Sequence, residues 1–117
     1  MQNQISHFEV NNIQYPLVFT LNVLDEIQKK YGSYEEWGNL TEGKEKEVNI
    51  EALKFGIEEM INEGIDIENE QKEIKREFVT SKQVGRLITE LGLQEMTNKV
   101  HSVVIDSTNV EETSKNV

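Results

Sequence analysis

The chain has 117 residues, 12 Lys and Arg against 22 Asp and Glu, no cysteine and a formal net charge of -10. That length suits one domain, and that charge argues against a protein that grips nucleic acid or an anionic membrane through a basic face. No disulfide, thiolate zinc site or cysteine nucleophile can form, and no apolar run approaches the roughly 18 residues of a transmembrane helix.

The N-terminus, MQNQISHFEV, lacks the basic region and apolar stretch of a signal peptide. Residues 5–19 read as a β-hairpin. Phe8 and Val10 alternate with polar neighbours, and Asn11-Asn12 supplies two residues tolerant of the positive φ a tight turn requires. Ile13, Tyr15, Leu17 and Phe19 then form the apolar face of the second strand. Pro16 cannot donate to a ladder, so this strand belongs at an edge or carries a bulge. Two strands alone are marginal, and their apolar face must pack on the helices that follow.

A first helix is expected over 22–31, capped by Asn22, with Val23, Leu24, Ile27 and Tyr31 inward and Gly32 as the left-handed stop. Ser33 and Glu36 have capping-box spacing for a short helix that carries Trp37 and stops near Gly38. A charged connection over 41–48 leads to a helix at 50–63, capped by Asn49 and ended by Gly64, with Ile50, Leu53, Ile57, Met60 and Ile61 on one face. Residues 65–78 fit either a loop or a helix from about 68. Thr80 or Ser81 caps a helix to Leu91 with Val84, Leu87, Ile88 and Leu91 aligned. Gly92 breaks the chain before a last helix at 93–106, with Leu93, Met96, Val100, Val103 and Val104 inward. The expected fold is α+β and mostly helical, an N-terminal β-hairpin on a bundle of about four short helices. Residues 1–106 form the domain and 107–117 a flexible polar tail.

Catalytic chemistry finds little purchase. His7 and His101 are the only histidines, and neither sits in a zinc motif or a triad spacing. His7 reads as a solvent-facing strand residue and His101 as a helix surface residue. Glu59 and Glu63 are one helical turn apart and could share a cation, but a Glu-rich helix produces that spacing as a solvated face. No glycine-rich phosphate loop is present. The chain therefore reads as a non-enzyme with no cofactor and no metal. Hydrophobic residues are 36% of the composition, so the core is thin, and self-association or a partner could bury more surface. Tyr31, Tyr34, Trp37, Phe55, Met60 and Met96 are candidates for partner binding, as aromatic or adaptable apolar side chains, although such side chains more often fill the core.

The order of segments is distinctive. FEVNNIQYPLVFT leads into LNVLDEIQKKYGSYEEW, then ALKFGIEEMINEG, and later FVTSKQVGRLITELGLQEM. With the Lys30-Tyr31-Gly32-Ser33 turn, the Thr80/Ser81 cap and the Gly92-Leu93 break, this resembles the tail assembly chaperones of long-tailed bacteriophages and of prophages in low-GC bacteria, over residues 7–106. The resemblance implies a protein of the bacterial host cytoplasm that coats the tape measure protein, keeps it soluble and yields it to tail tube subunits. An acidic coat around an apolar helical client adds charge and covers greasy stripes. The same acidity fits a second class, an interaction protein that mimics nucleic acid and blocks a host DNA-binding protein. A mimic would carry a carboxylate row on one face, and a chaperone an apolar groove.

Overall fold

The computed structural model describes residues 5–44 and 46–115, with side chains as far as Ser107. Strands β1 (Ser6–Val10) and β2 (Ile13–Leu17) are followed by helices α1 (Leu21–Tyr31), α2 (Tyr34–Glu42), α3 (Ile50–Lys72), α4 (Ser81–Leu91) and α5 (Leu93–Lys115). The architecture is the mostly helical α+β arrangement expected, with five helices among the described residues where about four short ones were expected.

Asn11 and Asn12 make the hairpin turn at φ 53 and 68, the left-handed values that a two-residue turn demands. The antiparallel register runs from Ser6 opposite Leu17 to Val10 opposite Ile13. Phe8 and Tyr15 face each other across it, their rings stacked at 5.5 Å. Pro16 lies opposite His7 in this two-stranded sheet, where every strand is an edge and a missing donor is tolerated. The alternation expected along β2 is not found: Ile13 and Gln14 are both exposed and Tyr15 is half-buried. Pro16 through Thr20 are all buried, because the chain there dives between the helices, while Ile13 at the hairpin tip is 49% exposed.

Local signals set most helix ends. The Thr80 hydroxyl accepts from the Gln83 amide, and the Gln83 side chain accepts from the Thr80 amide, a complete capping box. Ser33 and Asn49 cap α2 and α3. Gly32 ends α1 at φ 93, its N–H bonded to the Gln28 carbonyl. Helix α1 differs from expectation in its cap: Thr20, not Asn22, accepts from the Val23 amide.

Two glycines read as stops are not stops. Gly38 lies inside α2, which ends instead at Gly43 with φ 70. Gly64 lies inside α3, which continues to Lys72 and ends at Glu73 with φ 54. The lack of a side chain at Gly64 admits the Pro16 ring, and at Gly56 it admits the Trp37 ring. Helix α3 is thus the central element, against which β2, α1, α2 and α4 all pack. Its Leu53, Ile57, Met60, Ile61 and Ile65 are fully buried, joined by Trp37, Ile27, Val84, Met96 and Val100. Ile50 and Leu93, expected inward, are 47% and 41% exposed. Both sit in the first turn of a helix, where the apolar stripe has not yet reached the core.

Helix α5 runs past residue 106, where the last helix was expected to end. Backbone helix continues through Lys115, and Ser107 donates its hydroxyl to the Phe19 carbonyl at 3.3 Å, which ties the helix to the start of α1. Residues 116–117 lie outside the described residues.

Between α3 and α4 the chain is extended, and two asparagines hold it. Asn62 donates to the Val79 carbonyl (3.0 Å) and accepts from the Val79 amide (2.8 Å). Asn69, two turns on along the same face of α3, does the same for Arg76 at 2.9 and 3.0 Å. Each side-chain amide takes the place of a strand partner, so the backbone groups of Arg76 and Val79 are satisfied without a sheet.

Candidate functional site

The six residues proposed for partner binding do not form one surface. Trp37, Met60 and Met96 are 0% exposed. Trp37 donates its indole N–H to the Ala52 carbonyl at 2.8 Å, a core bond with the helix start of α3. These three are core residues in this fold and present nothing to a partner. Tyr31 and Phe55 are half-buried and meet edge to face at 5.7 Å. The Lys30 ammonium lies 4.6 Å from the Phe55 ring centre, with Glu51 at 3.9 Å from it. This cluster ties the end of α1 to the start of α3. Tyr34 alone among the six is counted exposed, at 36%. Its ring leans on Phe19 and Trp37, at 6.0 and 5.8 Å.

Tyr34 opens onto a cleft of about 380 Å³ between α2 and α5, with Glu42, Asn98, His101 and Ile105 among its walls. Ile105 is 52% exposed. His101 is half-buried here, not a plain surface residue, and its Nε2 is enclosed without a hydrogen-bond partner. Burial pushes its pKa down; Glu42 opposes that shift and Lys44 adds to it. Burial also raises the pKa of the Tyr34 phenol, with Glu42 adding to the effect. The cleft thus offers apolar area, a phenol donor and a neutral imidazole side by side. Sequence periodicity could not find it, because Tyr34 and Ile105 lie on different helices and each looks like an isolated surface residue.

Two further clefts adjoin the extended segment. Phe78, 57% exposed, lines both. On the hairpin side is a groove of about 810 Å³ that includes Ile13, Arg76, Lys82 and Arg86. The Arg76 guanidinium sits 5.1 Å from the Tyr15 ring centre. On the other side is a channel of about 290 Å³ between α1 and α3 with Asp25, Glu26, Glu59, Glu63 and Asp66 along it. Glu63 accepts there from the Thr20 hydroxyl at 2.5 Å and from Asn22 at 3.0 Å. Burial pushes the Glu59 carboxyl up, and Glu26, Glu58 and Glu63 push it further. Among the described residues no group of His, Asp and Glu side chains has an arrangement to hold a metal ion. His7 keeps its exposed place on β1 and pairs with Glu68 at 2.7 Å, while Lys72 approaches the same carboxylate at 3.7 Å.

Asn62 and Asn69, which shape both clefts by fixing the segment over α3, are the residues that sequence reasoning passed over. Their signal was there: Asn is a poor interior helix residue, and two of them at i, i+7 on one face imply a side-chain role. Among the described residues no helix is long and apolar enough to cross a membrane. Compared with protein-family models, curated proteins and solved structures, the chain gives no match.

Proposed function

We propose that this chain is a non-catalytic tail assembly chaperone of a phage or prophage, acting in the host cytoplasm to cover the tape measure protein until tail tube subunits replace it. The observation that carries the reading is the α2–α5 cleft, where Tyr34 and Ile105 stay in solvent on a protein of net charge -10. An apolar strip of a helical client would bury its greasy residues against these two side chains, and the acidic remainder would keep the complex dispersed. A small contact area of this kind favours release, which a transient coat requires. Co-expression with a tape-measure fragment tests it. The fragment is expected to become soluble with the wild-type chain and to stay insoluble with Tyr34→Glu/Ile105→Glu, a variant expected to melt somewhat below wild type, because Tyr34 packs on Phe19 and Trp37, and to keep its circular dichroism spectrum at the assay temperature. A fragment left insoluble by the wild-type chain counts against the proposal.

The carboxylate channel between α1 and α3 favours a second reading, a nucleic-acid mimic that occupies a host DNA-binding protein. In that case Asp25→Lys/Asp66→Lys would abolish inhibition of DNA binding, and the Tyr34/Ile105 variant would retain it.

A further inference from the structure

The ridge at Phe78 separates two surfaces of opposite character. Arg76, Lys82 and Arg86 line the groove on one side, and among the described residues none of the three has a carboxylate within ion-pair distance. Glu77 and Glu90 share that groove, so its sign is only weakly positive. The channel on the other side has five carboxylates along it and no cation in its lining. Lys29 already pairs with Asp25 and Glu26, at 3.0 and 3.5 Å. Glu59, Glu63 and Asp66 have no such partner among the described residues. Between the two surfaces Phe78 presents a large apolar ring, and Ile13 adds a second exposed apolar side chain within the groove.

A surface with an apolar centre, unpaired cations on one flank and unpaired carboxylates on the other complements itself under a two-fold rotation. The rotation lays each channel over the other copy's groove and brings the two Phe78 rings to the axis. We infer that a second copy of this chain docks here, as an isologous dimer centred on Phe78. The contact removes Phe78 and Ile13 from water and gives Arg76, Lys82 and Arg86 the carboxylates they lack within one chain. Two chains of net charge -10 repel each other overall. Attraction must therefore come from these local pairs, and salt has a diagnostic sign. Screening weakens a dimer held by opposite charges, whereas it strengthens one opposed only by net repulsion. The inference is independent of the chaperone proposal, since it concerns the isolated chain.

Sedimentation or light scattering on the full chain at rising concentration is the test. Wild type is expected to dimerise, with the dissociation constant rising on the order of tenfold from low to high salt. Phe78→Asp is expected to be monomeric with an unchanged circular dichroism spectrum. Leu21→Asp, which alters another exposed apolar residue, is expected to dimerise as wild type. Arg86→Glu and Asp66→Lys should each weaken the dimer alone, because each sets like charges face to face at both ends. An equal mixture of the two should dimerise again, since the mixed pair restores opposite charges at both ends. A wild-type monomer at every concentration overturns the inference, as does a dimer indifferent to Phe78→Asp, or a mixture that stays as weak as its components.

Discussion

Gly64 and Pro16 meet where β2 packs on α3, so closely that a Cβ added to Gly64 would stand 2.7 Å from the proline Cβ and 3.0 Å from its Cγ. The proline ring is rigid and cannot swing aside. Gly64→Ala should therefore lose about 1–2 kcal/mol, because overpacking costs more than the roughly 1 kcal/mol that alanine gains in a helix. Chemical denaturation would measure it. An unchanged midpoint would mean that hairpin and helix are not in contact here.

Gly38 provides the opposite sign. A Cβ there meets nothing within 4 Å, and the residue is helical. Gly38→Ala should stabilise by about 0.5–1 kcal/mol, seen as a rise of several degrees in Tm.

Asn62 satisfies both polar backbone groups of Val79. Asn62→Leu should cost about 1–3 kcal/mol, since the amide and carbonyl lose their partners together. Hydrogen exchange should speed up at Val79 more than at Arg76, whose own clamp by Asn69 remains. Uniform acceleration along the chain would count against a local clamp.

Two groups give the stability curve opposite slopes with pH. The folded pKa of Glu59 is raised by burial and by Glu26, Glu58 and Glu63. Its contribution is fully present below the unfolded carboxylate value and is lost as pH rises through the folded one. Glu59→Gln should then raise Tm at neutral pH by about a degree or two, a small effect because solvent screens a partly exposed group. The gain should fade in acid.

His101 behaves in the reverse sense. Its folded pKa is lowered, chiefly by burial. The stability it contributes is present above the unfolded histidine value and is lost as pH falls towards the folded one. His101→Gln should flatten the decline in Tm on moving from neutral to mildly acidic pH. An identical decline in wild type and variant would show that this imidazole titrates as it does in water.

Much of the local structure was legible in short stretches of sequence. Asn11-Asn12, Ser33, Asn49, Thr80, Gly32 and Gly92 act on atoms a few residues away, so their neighbours in sequence are the neighbours that matter. The apolar stripes of α1, α3, α4 and α5 were likewise visible, because helical spacing aligns them before any tertiary contact exists. The core of the candidate binding set was less legible. Aromatic and sulfur side chains serve interfaces and cores alike, and only packing showed Trp37, Met60 and Met96 enclosed and Tyr34 left at the cleft.

The one-dimensional pattern by itself determined a hairpin followed by amphipathic helices, with acidic charge in excess. Tertiary structure alone decided what Gly56 and Gly64 do. A glycine that ends a helix and one that lets a ring approach look the same in sequence, and the difference lies in Trp37 and Pro16 arriving from far along the chain. It also decided the course of residues 73–80, because the asparagines that hold them lie on another element. The Phe78 ridge follows from that course. Its cations and carboxylates are scattered through the sequence and become opposing flanks only when the segment is laid across α3.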